Sequence, residues 1–119
     1  YVHFVRERTL LEAVASSLTE LFSPQTIRTR MTEMLRRYEY ITPQSLAYFE
    51  RRLTQAPRDT DFALDYVKRE ATTVERQQAT INALIFKCDV LWVMLDALHF
   101  AYVEPGLPPP GSFKPEDAA

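Results

Sequence analysis

Lys87 stands in the middle of the most apolar part of the chain. Positions 80, 84, 87, 91, 94, 98 and 101 form one stripe at alternating steps of three and four. The other members are Thr80, Leu84, Leu91, Met94, Leu98 and Ala101. An ammonium group placed there loses hydration unless something offsets the loss. It can snorkel to the surface along its stem, pair with a buried carboxylate, or hold an anionic ligand, and the spacing leaves all three open. Tyr48 and Arg52 form a second candidate. Four residues apart on a helix, a phenol and a guanidinium can converge on one object. The arginine fork suits a carboxylate, and the tyrosine adds a hydroxyl on a flat ring. The plainer alternative is an amphipathic helix whose Leu46, Phe49 and Leu53 pack inward while Ser45, Tyr48, Arg52 and Gln55 are solvated. Tyr1, Arg8, Glu12 and Thr19 make a further polar stripe, which is either surface or the lining of a cavity between helices.

Other chemistries find less support. A di-iron bundle needs two Glu-x-x-His pairs and two further glutamates. Here there is one related stretch, Asp96-Ala97-Leu98-His99, turned well away from the Lys87 stripe, and His3 is the only other histidine. No metal site is expected. Cys88 has no visible histidine partner and is expected to be a small core residue. There is no glycine-rich phosphate loop.

Helices must position these side chains. Both glycines, Gly106 and Gly111, and five of the eight prolines lie beyond residue 104. Hairpin turns generally need glycine at positive φ, so the composition argues against a sheet-rich fold, and an all-α architecture is expected. The pattern predicts a helix over 1–22, carried by Phe4, Leu11, Val14, Leu18 and Leu21 and stopped at Ser23-Pro24. Ser23-Pro24 then opens a second helix running to about Tyr38, and Thr42-Pro43 opens a third ending near Ala56-Pro57. A fourth covers about Asp59 to Ala71. Thr72 or Thr73 caps the last and longest, to about Val103, spanning about 45 Å. Residues 105–119, with Pro108-Pro109-Pro110, read as a linker or a disordered tail after a helical part over 1–104.

Composition bounds the rest. The 119 residues are 46% hydrophobic and 25% charged, a balance that suits one modest domain. A net charge of −2 lacks the basic footprint of a nucleic-acid binder, and Arg36-Arg37 and Arg51-Arg52 read as solvated helix faces. The apolar segment Ile81–Val103 carries Lys87, Asp89, Asp96 and His99, which makes it a poor membrane span and a good buried helix. A single cysteine fits a reducing compartment, and a cytoplasmic location is expected. The absence of an initiating Met and the apolar opening Tyr1-Val2-His3-Phe4-Val5 suggest part of a longer protein.

Three motifs carry a family resemblance. They are Ala15-Ser16-Ser17-Leu18-Thr19-Glu20-Leu21-Phe22 with Pro24, Phe86-Lys87-Cys88-Asp89-Val90-Leu91-Trp92 with Met94-Leu95-Asp96-Ala97, and, between them, Tyr48-Phe49-x-x-Arg52-Leu53-x-Gln55-Ala56-x-Arg58-Asp59. Together they resemble the C-terminal part of the pyrroloquinoline-quinone synthase (PqqC) family over residues 1 to about 103. The resemblance implies a helical bundle of the haem-oxygenase-like or TENA-like type, here about five helices of a larger bundle. It implies a cofactor-free oxidase that closes a ring and oxidises a polycarboxylate precursor with dioxygen, releasing hydrogen peroxide and the quinone. It further implies catalytic roles for Lys87 and Tyr48, and substrate binding by Tyr1, Thr19, Arg52 and Lys87. The missing pocket walls imply that this stretch alone is inactive. The tail looks like a connector to PqqD, a small peptide-binding domain fused to some members, and bare helix faces suggest a homodimer. One position departs: Ile27 stands where the family usually has histidine. That substitution keeps alive an alternative, a non-catalytic helical quinone-binding or scaffold protein on the same fold.

Overall fold

The computed structural model describes residues 1–104, and within them every regular element is a helix. The expectations for the Gly/Pro-rich segment 105–119 lie outside the described residues. The order is α1 (Val2–Glu7), α2 (Leu10–Ser16), α3 (Ser23–Arg37), α4 (Ala47–Glu70) and α5 (Val74–Tyr102), with 3-10 turns at Ser17–Phe22 and Gln44–Leu46. The all-helical architecture is as expected, but two boundaries are not.

The stretch expected as one helix over 1–22 is broken. Arg8 leaves α1 in an extended conformation, φ −94° and ψ 165°, and Thr9 caps α2. Thr9 Oγ1 accepts from the Glu12 backbone N–H at 3.3 Å, while Glu12 Oε2 accepts from the Thr9 N–H at 3.0 Å and from its hydroxyl at 2.7 Å. This reciprocal capping box satisfies donors that a helix start leaves open, and such a cap contributes about 1 kcal/mol. The Thr9 hydroxyl holds the Glu12 carboxyl below its ordinary value, assisted by the Thr9 N–H and the Arg8 charge and opposed by partial burial. The Thr-x-x-Glu signal outweighed the continuous apolar periodicity.

The opposite happens at Pro57. Instead of separating two helices it sits inside α4, which runs unbroken for 24 residues. A proline there removes the hydrogen bond to the Leu53 carbonyl, and such an insertion costs about 3 kcal/mol or more in isolation. The local backbone is supported by Thr60, buried, whose hydroxyl donates to the carbonyls of Ala56 and Pro57, both at 2.9 Å. Ala56, Thr60, Ala63 and Val67 recur at steps of four and three as one buried face, and its packing offsets the lost bond. The described residues therefore form five α-helices, but by one split and one fusion.

The core joins Leu11, Ala15 and Leu18 to Ala63 and Val67 of α4 and Ala83 of α5. Three of these six are alanines, so the helix backbones approach closely. Among the described residues no helix ends in the left-handed region that favours glycine. Arg8, Tyr38, Ala71 and Val103 all close their helices at negative φ. The glycine-free sequence thus leaves its helices through extended or bridging residues.

Thr73 caps α5, accepting from the Arg76 N–H at 3.3 Å. The expectation that this segment forms a buried helix is corrected: Ala83 is its only buried residue, and Trp92, Val93 and Leu95 are exposed at 70%, 60% and 58%. Neighbouring elements cover only one side of α5, the side that carries Ala83. Cys88, expected in the core, is exposed for the same reason. No described helix is long and apolar enough to cross a membrane.

Candidate functional site

The 3-10 turn at Ser17–Phe22, the first half of α3, the start of α4 and Leu91 of α5 enclose an open cavity of about 420 Å³. Thr19, Tyr48 and Arg52, singled out from separate stretches of sequence, all line it, together with Ile27 and Arg30. Leu46, only 1% exposed, anchors the α4 start, so that Tyr48 and Arg52 share the side facing the 3-10 turn. Tyr48 lies at the open rim, 69% exposed, with its ring edge-on to Phe49 at 5.4 Å between centroids. Ile27 is 8% exposed and forms an apolar wall.

Arg52 is the half-buried cation of the site and already has partners, which corrects its reading as part of a solvated Arg51-Arg52 face. Nη2 lies 3.4 Å from Glu20 Oε2 and Nη1 lies 3.3 Å from Asp59 Oδ2. Glu20 lines the cavity as well. Both bonds are long for charge-assisted pairs, and both carboxylates are substantially exposed, so the pairs are exchangeable rather than locked.

Tyr1 and Lys87 do not line this cavity but meet beside it. The Lys87 ammonium sits 3.6 Å from the centroid of the Tyr1 ring. Lys87 is half-buried, and no carboxylate among the described residues pairs with it. Of the three readings open from the sequence, pairing with a buried carboxylate is thus corrected, and a cation–π contact takes its place. Such a contact contributes about 0.5–2 kcal/mol, depending on desolvation. The Tyr1 hydroxyl lies 2.8 Å from Ser16 Oγ, whose own proton goes to the Ala13 carbonyl at 2.7 Å, so the phenol donates. Lys87 precedes Leu91 by one helical turn and Ser16 precedes Thr19 by three residues, which sets the Tyr1–Lys87 pair about one turn from the cavity.

The polar stripe expected on the first helix does not survive the break at Thr9. Arg8 and Glu12 line a different open cavity, about 720 Å³, against Gln78 and Asn82 of α5. His3 pairs with Glu7 at 3.1 Å on the surface, and no group of three or more His, Cys, Asp or Glu side chains gathers among the described residues. Sequence reasoning missed Glu20, Arg30 and Asp59. Arg30 follows Ile27 by three residues, a helical spacing that could have found it. Asp59 was hidden by the expected break at Pro57.

The described residues thus form an all-helical bundle in which arginine, hydroxyl and carboxylate side chains line one open cavity. Residues 1–97 match the TENA/THI-4/PQQC family, and the chain belongs to that family. It is 69% identical over 113 residues to a pyrroloquinoline-quinone synthase of Acidiphilium cryptum, covering 95% of this chain and 46% of that protein. It is 62% identical over 116 residues to the pyrroloquinoline-quinone synthase of Xanthomonas campestris pv. campestris, covering 98% of this chain and 46% of the relative. A bifunctional coenzyme PQQ synthesis protein C/D of Methylorubrum extorquens is 66% identical over 115 residues, with 97% of this chain and 31% of that protein covered. The chain thus spans about half the length, or less, of the curated relatives it matches.

Proposed function

We propose that this chain supplies one wall of the pocket of a pyrroloquinoline-quinone synthase. The observation that carries the reading is the convergence of Thr19, Tyr48 and Arg52 on one cavity, with Arg30 beside them and Lys87 a turn away. Two arginines lining a hydroxyl-bearing cleft, with a lysine about one turn away, suit a planar polycarboxylate. Arg52 and Arg30 would take its carboxylates, Thr19 would donate to it, and the Tyr1–Lys87 pair would border its quinone part. Lys87 and Tyr48 are the candidates for proton handling near the reacting ring. In this reading the precursor closes a ring and is oxidised, and each dioxygen accepts two electrons and two protons to leave as hydrogen peroxide. The reaction uses neither metal nor organic cofactor, and a dry cationic cavity favours the anionic intermediates of such chemistry.

The same reading extends to partners. The name of the Methylorubrum relative pairs a C with a D function, which supports a PqqD domain, fused through 105–119 or separate. The exposed Trp92, Val93 and Leu95 support a homodimer, and the lone cysteine supports a cytoplasmic location. The stretch 1–119 by itself should be inactive.

The test uses a protein carrying this chain at the length of its curated relatives. Arg52→Ala should weaken pyrroloquinoline quinone binding about tenfold or more, read from the quinone absorbance, and should slow precursor turnover. Unchanged affinity would sink the pocket assignment. A second reading, a quinone-binding protein without catalysis, is favoured by Ile27, which forms a buried apolar wall where a proton-carrying side chain would otherwise stand. Tight quinone binding without oxygen consumption in the presence of precursor would select it.

A further inference from the structure

We propose that Asp59 is a positioning residue for Arg52, holding the guanidinium fork open toward the cavity; this rests on the reading of Arg52 as the ligand of a substrate carboxylate. The two acids on Arg52 are not equivalent. Glu20 lines the cavity, whereas Asp59 lies outside its lining and grips the other arm of the fork from two turns further along α4. Glu20 therefore occupies the side of the guanidinium that an incoming carboxylate must approach. Asp59 opposes that pull. Without it, no other described side chain bonds Nη1, and the fork is free to close on Glu20 with both arms, which is the preferred geometry for an arginine and a carboxylate. A ligand would then have to break a bidentate pair instead of a single long contact.

The geometry is available only because α4 continues through Pro57. Residues 52 and 59 stand seven apart, two turns along one helix, and face the same side. Thr60, bonded to the Ala56 and Pro57 carbonyls, fixes the helix next to Asp59.

A plain charge argument predicts the reverse effect. Removing an acid beside an arginine raises the local positive potential and should tighten binding of a polyanion. The exposed position of Asp59, 66%, leaves that contribution small and screened by salt, so orientation should prevail.

The test is quinone affinity in the relative-length protein for Asp59→Ala, Asp59→Asn, Arg52→Ala and the Arg52→Ala/Asp59→Ala double variant. Asp59→Ala should weaken pyrroloquinoline quinone binding about threefold or more, and the double variant should bind no more weakly than Arg52→Ala alone. Asp59→Asn, whose amide oxygen still accepts from Nη1, should recover most of the affinity. Tighter binding by Asp59→Ala, or losses that add in the double variant, would overturn the proposal while leaving Arg52 in its role. No effect of Arg52→Ala would instead remove the functional reading itself.

Discussion

At the scale of single residues, the informative feature is how each charge is offset. Lys87 is neutralised by no carboxylate among the described residues and instead rests on the Tyr1 ring face. A cation held by an aromatic quadrupole keeps its full charge available to an anion, unlike one committed to an ion pair. Removing only the phenol hydroxyl with Tyr1→Phe should therefore leave quinone affinity within about twofold, because the ring face is retained. Tyr1→Ala should weaken binding, and Lys87→Ala should weaken it further. Equal and large losses for Tyr1→Phe and Tyr1→Ala, measured by quinone titration, would assign the effect to the hydrogen bond with Ser16 instead. Arg52 follows the other strategy, shared between two carboxylates, and under the proposed function only Glu20, the one lining the cavity, would yield to a ligand.

At the scale of helices, local chemistry decided boundaries in both directions. Thr9 and Glu12 broke a periodic run because their side chains reciprocally satisfy two orphaned backbone N–H groups, and Pro57 failed to break one because the buried face Ala56, Thr60, Ala63 and Val67 holds the backbone through it. The end of α3 shows a third local device. Glu33 accepts from Arg36 Nη2 at 2.6 Å and from Arg37 Nε at 2.7 Å, and these two guanidinium groups lower its carboxyl from 4.5 to about 2. A carboxyl with a depressed folded-state value contributes stability that is present above about 4.5 and is lost as pH falls toward about 2. Thermal midpoints should accordingly fall across that window, and Glu33→Gln should flatten the slope there without altering it near neutrality. An identical acid limb in Glu33→Gln would remove this assignment. The basic pair Arg36-Arg37 is thus a solvated face, as its sequence suggests, with an acid built in three and four residues earlier.

At the scale of the whole molecule, alanine contacts set how closely helices pack. Ala15 at 0%, Ala63 at 6% and Ala83 at 2% exposure occupy the junction of α2, α4 and α5. Ala63→Leu should force those helices apart and cost about 1–3 kcal/mol, seen as a lower denaturation midpoint at an unchanged denaturant slope. If the midpoint held, the junction would be shown to have spare room. The same packing explains why α5 is apolar on nearly every side yet covered on one: the described helices reach only its Ala83 side, and Trp92 and Leu95 stay bare.

How much of this was legible beforehand differs by kind of information. The helical class followed from composition and periodicity, because a chain without glycine for its first 104 residues lacks the means for tight hairpins. Thr73 as a cap and the pairing of Tyr48 with Arg52 on one face are likewise local, set by spacings of three or four residues. Sequence motifs also sufficed to suggest the family, since Thr19, Arg52 and Lys87 sit within three recognisable stretches. Tertiary structure decided the rest. Whether Pro57 ends a helix depends on packing energy from residues distant in sequence, and that outcome alone places Asp59 in line with Arg52. Glu20 reaches Arg52 across 32 positions, and Tyr1 reaches Lys87 across a still longer stretch of sequence. Periodicity describes one helix at a time; which charge answers which is fixed only when separate helices close on a common core.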